Sequence, residues 1–139
     1  MADDKTFMTE FHDQLGAAVD FVREYRGFMS ALSTASKPLG LSFDGCLILL
    51  ILMDNEGMSN TEIADTLGLN LATATKIIDR MVSDNLVHRK PHATDRRRIQ
   101  ILLTSDGLAL TRQASQMFSR FADQHPVPVC GKPDATDTP

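Results

Sequence analysis

The sequence predicts a mainly α-helical protein with one small β-hairpin, and three observations carry that prediction. Apolar residues recur at helical spacing along most of the chain, while period-2 alternation is confined to Arg98-Ile99-Gln100-Ile101-Leu102-Leu103. Helix-starting residues (Ser42, Ser59, Asn70 and Thr104) each precede an apolar-periodic segment. A length of 139 residues, 42% hydrophobic and 23% charged, suits one domain with a real core and leaves no room for a separate catalytic module.

The segment 5–37 reads as one long helix, with Phe7, Phe11, Leu15, Ala18, Val22, Tyr25, Met29 and Leu32 on a single stripe. Lys37-Pro38-Leu39-Gly40 ends it, because proline lacks a donor and disfavours helical geometry in the residue before it. Ser42 caps a second helix, with Asp44 in the first turn where a carboxylate suits the helix dipole. From Cys46 to Leu52 that helix is apolar nearly all round, which predicts burial; Asn55-Glu56-Gly57 closes it.

Ser59-Asn60-Thr61-Glu62 is a capping box, Ser59 as N-cap and Glu62 reaching back to it. The short helix that follows buries Ile63, Ala64 and Leu67 and stops at Gly68. Asn70 caps a fourth helix ending near Asp84-Asn85, where asparagine tolerates the left-handed conformation a helix end requires. Two short helices joined by Leu67-Gly68-Leu69-Asn70 form a helix-turn-helix. Leu86–Lys90 and Arg98–Leu103 pair as strands around a polar loop, Pro91–Arg97. Thr104-Ser105-Asp106 caps a last helix through about Phe121. Four prolines and one glycine in the 14 residues from Pro126 predict a disordered tail, 126–139.

Several function classes are disfavoured. The longest apolar run, Cys46 to Met53, is eight residues, against roughly 18 for a membrane span. The acidic start Met1-Ala2-Asp3-Asp4-Lys5 has no apolar core of a secretory signal. Two cysteines, Cys46 and Cys130, are too few for a disulfide scaffold, so a reducing cytoplasm is expected. His12, His88, His92 and His125 share no ligand spacing, which predicts no metal site. Neither a nucleophile elbow nor a glycine-rich phosphate loop is present, so no enzyme and no cofactor are expected.

The net charge of −4 hides an asymmetry. Residues 1–58 hold four Lys and Arg against nine Asp and Glu, whereas residues 59–104 hold seven against five. Basic charge is therefore concentrated on the helix-turn-helix and the hairpin. On the fourth helix Ala74, Ile77, Ile78 and Met81 form the inward stripe. Ala72, Thr73, Lys76 and Arg80 lie on another face, with Thr75 at its edge. Small residues let a helix N-terminus approach base edges in a major groove, and Thr, Lys and Arg reach bases or phosphates. A solvated amphipathic face is the plainer alternative. In the hairpin loop, Arg96, Arg97 and Arg98 follow Asp95; on an extended segment they alternate in direction, so one or two reach a minor groove while another pairs with Asp95. The plainer alternative there is a solvated loop.

A cationic hairpin after a helix-turn-helix is a winged helix, and here the chain resembles a known family. Ser59 to Leu69, Thr73 to Met81, Asn85 to Arg89 and above all Asp95-Arg96-Arg97-Arg98-Ile99-Gln100-Ile101-Leu102-Leu103-Thr104-Ser105-Asp106-Gly107 are similar to the MarR/SlyA winged-helix transcriptional regulators. The resemblance covers Leu41 to about Leu110. It implies a single domain over 1–125: a winged-helix DNA-binding lobe at 41–103, and a helical dimerisation region at 5–37 and 104–124. It further implies a homodimer on a pseudo-palindromic double-stranded DNA operator, acting as a repressor released by a small molecule. The DNA-facing residues are then Thr61, Asn70, Ala72, Thr73, Thr75, Lys76, Arg80, Arg96, Arg97 and Arg98. Among the wing arginines, Arg97 is the one assigned to phosphates or the minor groove.

The family's sixth helix has no counterpart, because the chain turns proline-rich after Gln124-His125, and Leu71 stands where the family often has proline. Oxidant-sensing relatives use a cysteine in the first helix, which here has none; Cys46 reads as a small core residue. A small aromatic effector would be lined by Phe21, Tyr25, Phe28 and Met29 with Phe43, Cys46 and Leu47, the alternative being core or dimer interface. The competing function is a winged-helix protein-interaction module without DNA binding, favoured by the acidic total charge.

Overall fold

The computed structural model describes residues 3–125. The proline-rich segment 126–139, with Cys130, lies outside the described residues. The element order is α1 (Asp4–Ser36), a 3₁₀ turn (Lys37–Leu39), α2 (Phe43–Asp54), α3 (Asn60–Leu67), α4 (Leu71–Ser83), β1 (Val87–Pro91), β2 (Ile99–Leu103) and α5 (Ser105–Gln124). This is the mainly helical architecture with a small β wing that the sequence predicts.

Each predicted N-cap acts through its own side chain. Ser42 accepts from Gly45 N–H, Ser59 from Glu62 N–H, Asn70 from Ala72 N–H and Thr104 from Gly107 N–H. α3 ends on Gly68 at φ 67°, with Leu69 N–H donating to the Ala64 carbonyl, and α4 is followed by Asn85 at φ 58°. Asn85 is further held by its side-chain amide, which donates a hydrogen bond to the Asp106 carboxylate at 3.0 Å.

One core unites α2, α3, α4 and the hairpin: Ile48, Leu49, Leu52, Met58, Ile63, Ile78, Met81, Leu86, Val87 and Ile101. Truncating one of its fully buried members, such as Leu49, to alanine costs about 2–5 kcal/mol in comparable cores. β1 and β2 pair antiparallel with Arg89 opposite Ile101. Ile101 N–H also donates to the Met58 carbonyl at 2.7 Å, so the α2–α3 turn lies along the free edge of β2. The wing is thereby anchored on both sides of its second strand. α5 enters close against the end of α4, since a Cβ on Gly107 would stand 1.9 Å from the Leu86 carbonyl oxygen.

Only the C-terminal third of α1 joins this body. Leu32 and Ser36 are buried, and Phe28 meets Phe121 of α5 edge-on at 5.1 Å. The rest of α1, about 50 Å in full length, stands in solvent with its apolar stripe uncovered.

The strand boundaries, the end of α5 and one cap differ from the sequence expectations. β1 spans Val87–Pro91 rather than Leu86–Lys90, because Leu86 N–H closes the end of α4 on the Met81 carbonyl, and β2 begins at Ile99 because the Asp95–Arg98 turn takes Arg98. α5 runs to Gln124 rather than Phe121, carried by the stack of Phe121 on His125 and its contact with Phe28. The capping box is half formed, because the Glu62 carboxylate turns away to Arg98 instead of returning to Ser59 N–H.

Candidate nucleic-acid interface

The helix-turn-helix is tight because Gly68 supplies the left-handed corner and Asn70 immediately caps α4. Ala74, Ile78 and Met81 are buried and Ile77 is half-buried, which fixes the rotation of α4. That rotation leaves Leu71, Ala72, Thr73, Lys76 and Arg80 exposed. Thr75 is half-buried, its hydroxyl accepting from the Asn60 side-chain amide at 3.4 Å. Thr61 is exposed on the first turn of α3, and Asn70 Oδ1 is occupied by the cap. Arg80 lies 4.0 Å from Asp84, one turn further along the helix.

The wing tip corrects the expectation of an alternating extended run. Arg98 N–H donates to the Asp95 carbonyl at 3.0 Å, making a turn with Arg96 and Arg97 at its two corners. The Asp95 carboxylate accepts from Arg97 N–H at 3.1 Å, so it organises the backbone rather than pairing with a guanidinium. Arg98 points back and pairs with Glu62 of α3. On the other strand Arg89 pairs with Asp79 of α4. Two ion pairs therefore tie the wing to the helix-turn-helix, and sequence reasoning found neither: a capping-box reading had already assigned Glu62, and Asp79 and Arg89 carry no local pattern.

The cations divide accordingly. Arg89 and Arg98 are used internally, while among the described residues Lys76, Arg96 and Arg97 are exposed and make no ion pair. Such a surface offers a helix face of small and polar groups beside fixed, unneutralised positive charge.

The expected effector pocket does not assemble within one chain. Phe21 and Tyr25 stack on each other at 6.5 Å and are 64% and 54% exposed. Phe28 packs on Phe121, Phe43 is half-buried, and Cys46 is sealed in the core. The five face different surroundings because α1 stands clear of the body on the N-terminal side of Phe28. A recess of about 360 Å³ lies elsewhere, between Gly40-Leu41-Ser42 and Lys76, Ile77, Arg80 and Met81. Burial pushes the Cys46 thiol up, and burial likewise raises the Asp44 carboxyl. No single helix among the described residues is long and apolar enough to cross a membrane.

Comparison with known proteins agrees with this geometry. Residues 46–99 match the MarR family. The chain is 37% identical over 76 residues to the HTH-type transcriptional repressor YetL of Bacillus subtilis, covering 53% of this chain and 46% of that protein. It spans about half the length of the curated relatives it matches. Its fold is that of AbsC, a MarR family transcriptional regulator from Streptomyces coelicolor (TM-score 0.75, 24% identity, 88% of this chain and 84% of that one). The fold is shared with Bordetella bronchiseptica BpsR, whose DNA binding is regulated by 6-hydroxynicotinic acid (TM-score 0.71, 19% identity, 78% and 77% covered).

Proposed function

We propose that the protein is a MarR-family, sequence-specific regulator of transcription that binds double-stranded DNA, a reading supported by the match of residues 46–99 to that family. The observation that carries this reading is the partition of the cations. Lys76, Arg96 and Arg97 stay exposed and unpaired while their neighbours Arg89 and Arg98 brace the scaffold that holds them. Unneutralised cations on a recognition helix and a wing tip are what phosphate binding needs, and a protein-interaction module has no use for them.

The proposed form is a homodimer over 1–125, joined through α1 and α5. Phe7, Phe11, Leu15, Val22 and Tyr25 are between 43% and 59% exposed along one face of α1, an apolar stripe that a second copy would cover. Two-fold symmetry then sets the recognition helices about 34 Å apart, one turn of DNA, and calls for a pseudo-palindromic operator. Repression, by analogy with the repressor YetL, and release by a small aromatic effector, by analogy with BpsR, complete the proposal, with a cytoplasmic location as the setting a DNA-binding role requires.

Selection of duplexes from a random-sequence pool by the full chain tests the reading. An inverted repeat with half-site centres about one helical turn apart is the expected product. A pool that fails to enrich overturns it, and light scattering that shows a monomer at micromolar concentration overturns the dimer.

A further inference from the structure

The tip of the wing is held by hydrogen bonds rather than by packing. Residues 93–99 are all exposed, and His92 before them is half-buried. Three donors converge on one atom of that histidine: Thr94 N–H at 3.2 Å, Asp95 N–H at 3.3 Å and the Thr94 hydroxyl at 3.0 Å all lie against His92 Nδ1. An amide N–H can only donate, so Nδ1 carries the lone pair and the ring proton sits on Nε2. The His92 N–H closes the loop by donating to the Arg98 carbonyl at 2.8 Å. Asp95, placed in this way, accepts from Arg97 N–H and receives Arg98 N–H on its carbonyl. His92 thus sets Thr94 and Asp95, Asp95 sets the turn, and the turn sets Arg96 and Arg97.

Accepting the N–H two residues ahead is the role asparagine or aspartate plays in an Asx turn. Unlike those side chains, an imidazole loses its acceptor within the physiological pH range. Resting on the DNA-binding reading above, we propose that His92 is the positioning residue of the wing, an acceptor in place of Asx, and that its protonation releases Arg96 and Arg97 from their DNA-binding arrangement.

Among the described residues the carboxylate open to the protonated ring is Glu56, which makes no ion pair and lines the recess on each side of His92. Glu56, Glu62 and Arg98 line the recess on one side of His92, and Lys90 lies with Glu56 on the recess of the other. Glu62 is taken by Arg98. Asp95 meets the ring through its N–H, and its carboxylate faces Arg97 N–H. A proton on Nδ1 would confront two amide N–H groups, with the Thr94 hydroxyl alone turning to accept it.

The test compares the full-length wild type, His92→Asn and His92→Ala on a duplex enriched by the wild type from a random pool, from about pH 8 to about pH 5.5. Asparagine keeps the acceptor and does not titrate. At the upper pH His92→Asn should bind within about threefold of wild type, and His92→Ala about tenfold more weakly. On acidification the wild type should lose about tenfold relative to His92→Asn, whose comparison cancels every other titrating group, His88 included. A ratio of wild type to His92→Asn that stays constant with pH overturns the proposal, as does an asparagine variant as weak as the alanine one. Nitrogen-15 NMR of the imidazole provides an arm without DNA: an unprotonated Nδ1 at the upper pH is expected, and a protonated Nδ1 there overturns it. If no duplex enriches, the DNA-binding reading fails while the ring spectrum still decides the role of His92 in the tip.

Discussion

Glu62 in the first turn of α3 holds Arg98 of the wing across 36 positions of sequence, which makes the third arginine of the run a strut. Arg96 and Arg97, at the corners of the turn that Arg98 closes, are the ones left for a partner.

Arg97→Ala and Arg96→Ala should each flatten the salt dependence of DNA binding by about one phosphate's worth of counterion release. Arg98→Ala should leave that slope in place and instead lower stability by less than about 1 kcal/mol, the usual scale for a half-exposed ion pair. The exchange Glu62→Arg with Arg98→Glu should recover that stability. Titrations at several salt concentrations, with urea denaturation, check all three; a slope that falls only in Arg98→Ala would reverse the assignment.

Thr73 and Lys76 are exposed on the face of α4 that leads with its N-terminus. Substituting either should change which sequence is preferred, at roughly 1–3 kcal/mol for each base-specific interaction removed. Binding to scrambled duplex should drop with Lys76→Ala and hardly move with Thr73→Val. Equal losses on selected and scrambled DNA for Thr73→Val would remove it from the base-reading set.

Gly107 is required by a close approach. A methyl there would overlap the Leu86 carbonyl, 1.9 Å away, and that oxygen also accepts from Thr104 N–H. Gly107→Ala should cost about 3 kcal/mol of stability. Gly16→Ala, in the exposed part of α1 with nothing within 4 Å, should instead stabilise by about 1 kcal/mol through better helix propensity. Denaturation midpoints separate the two, and an unaffected Gly107→Ala would mean that α5 can slide away from Leu86.

Cys46 is 2% exposed, and burial raises its thiol, so both access and thiolate fraction are low. Any peroxide effect on DNA binding should survive Cys46→Ser unchanged. Thiol reagents should label Cys46 only as the protein unfolds. Loss of a peroxide response in the serine variant would overturn this.

Asp44 sits in the first turn of α2 with its carboxyl raised by desolvation. The folded state therefore holds the proton more tightly than the unfolded chain. Stability from this group is present below the ordinary aspartate range and is lost as pH rises through the raised value. Wild type should lose ground to Asp44→Asn between about pH 3 and pH 7, by a small amount because the side chain is only partly buried. Denaturation midpoints that move the other way would show the helix dipole outweighing desolvation.

The sequence by itself determined the elements and much of the lobe. Caps at Ser42, Ser59, Asn70 and Thr104, the left-handed Asn85 and the apolar stripe of α4 are local chemistry, written within a few residues of where they act. Tertiary structure decided every side chain that had a choice of partner. Glu62 can reach Ser59 or Arg98, and only the folded hairpin brings Arg98 within reach. Asp95 takes a backbone N–H because the turn presents one at 3.1 Å, and His92 becomes an acceptor because two amides point at it. Phe28 and Cys46 were drawn into the body while Phe21 and Tyr25 were left in solvent, since α1 stands clear of α5 on the N-terminal side of Phe28. A periodicity marks which residues share a stripe, but what covers the stripe depends on where other elements stop, and no local pattern encodes that.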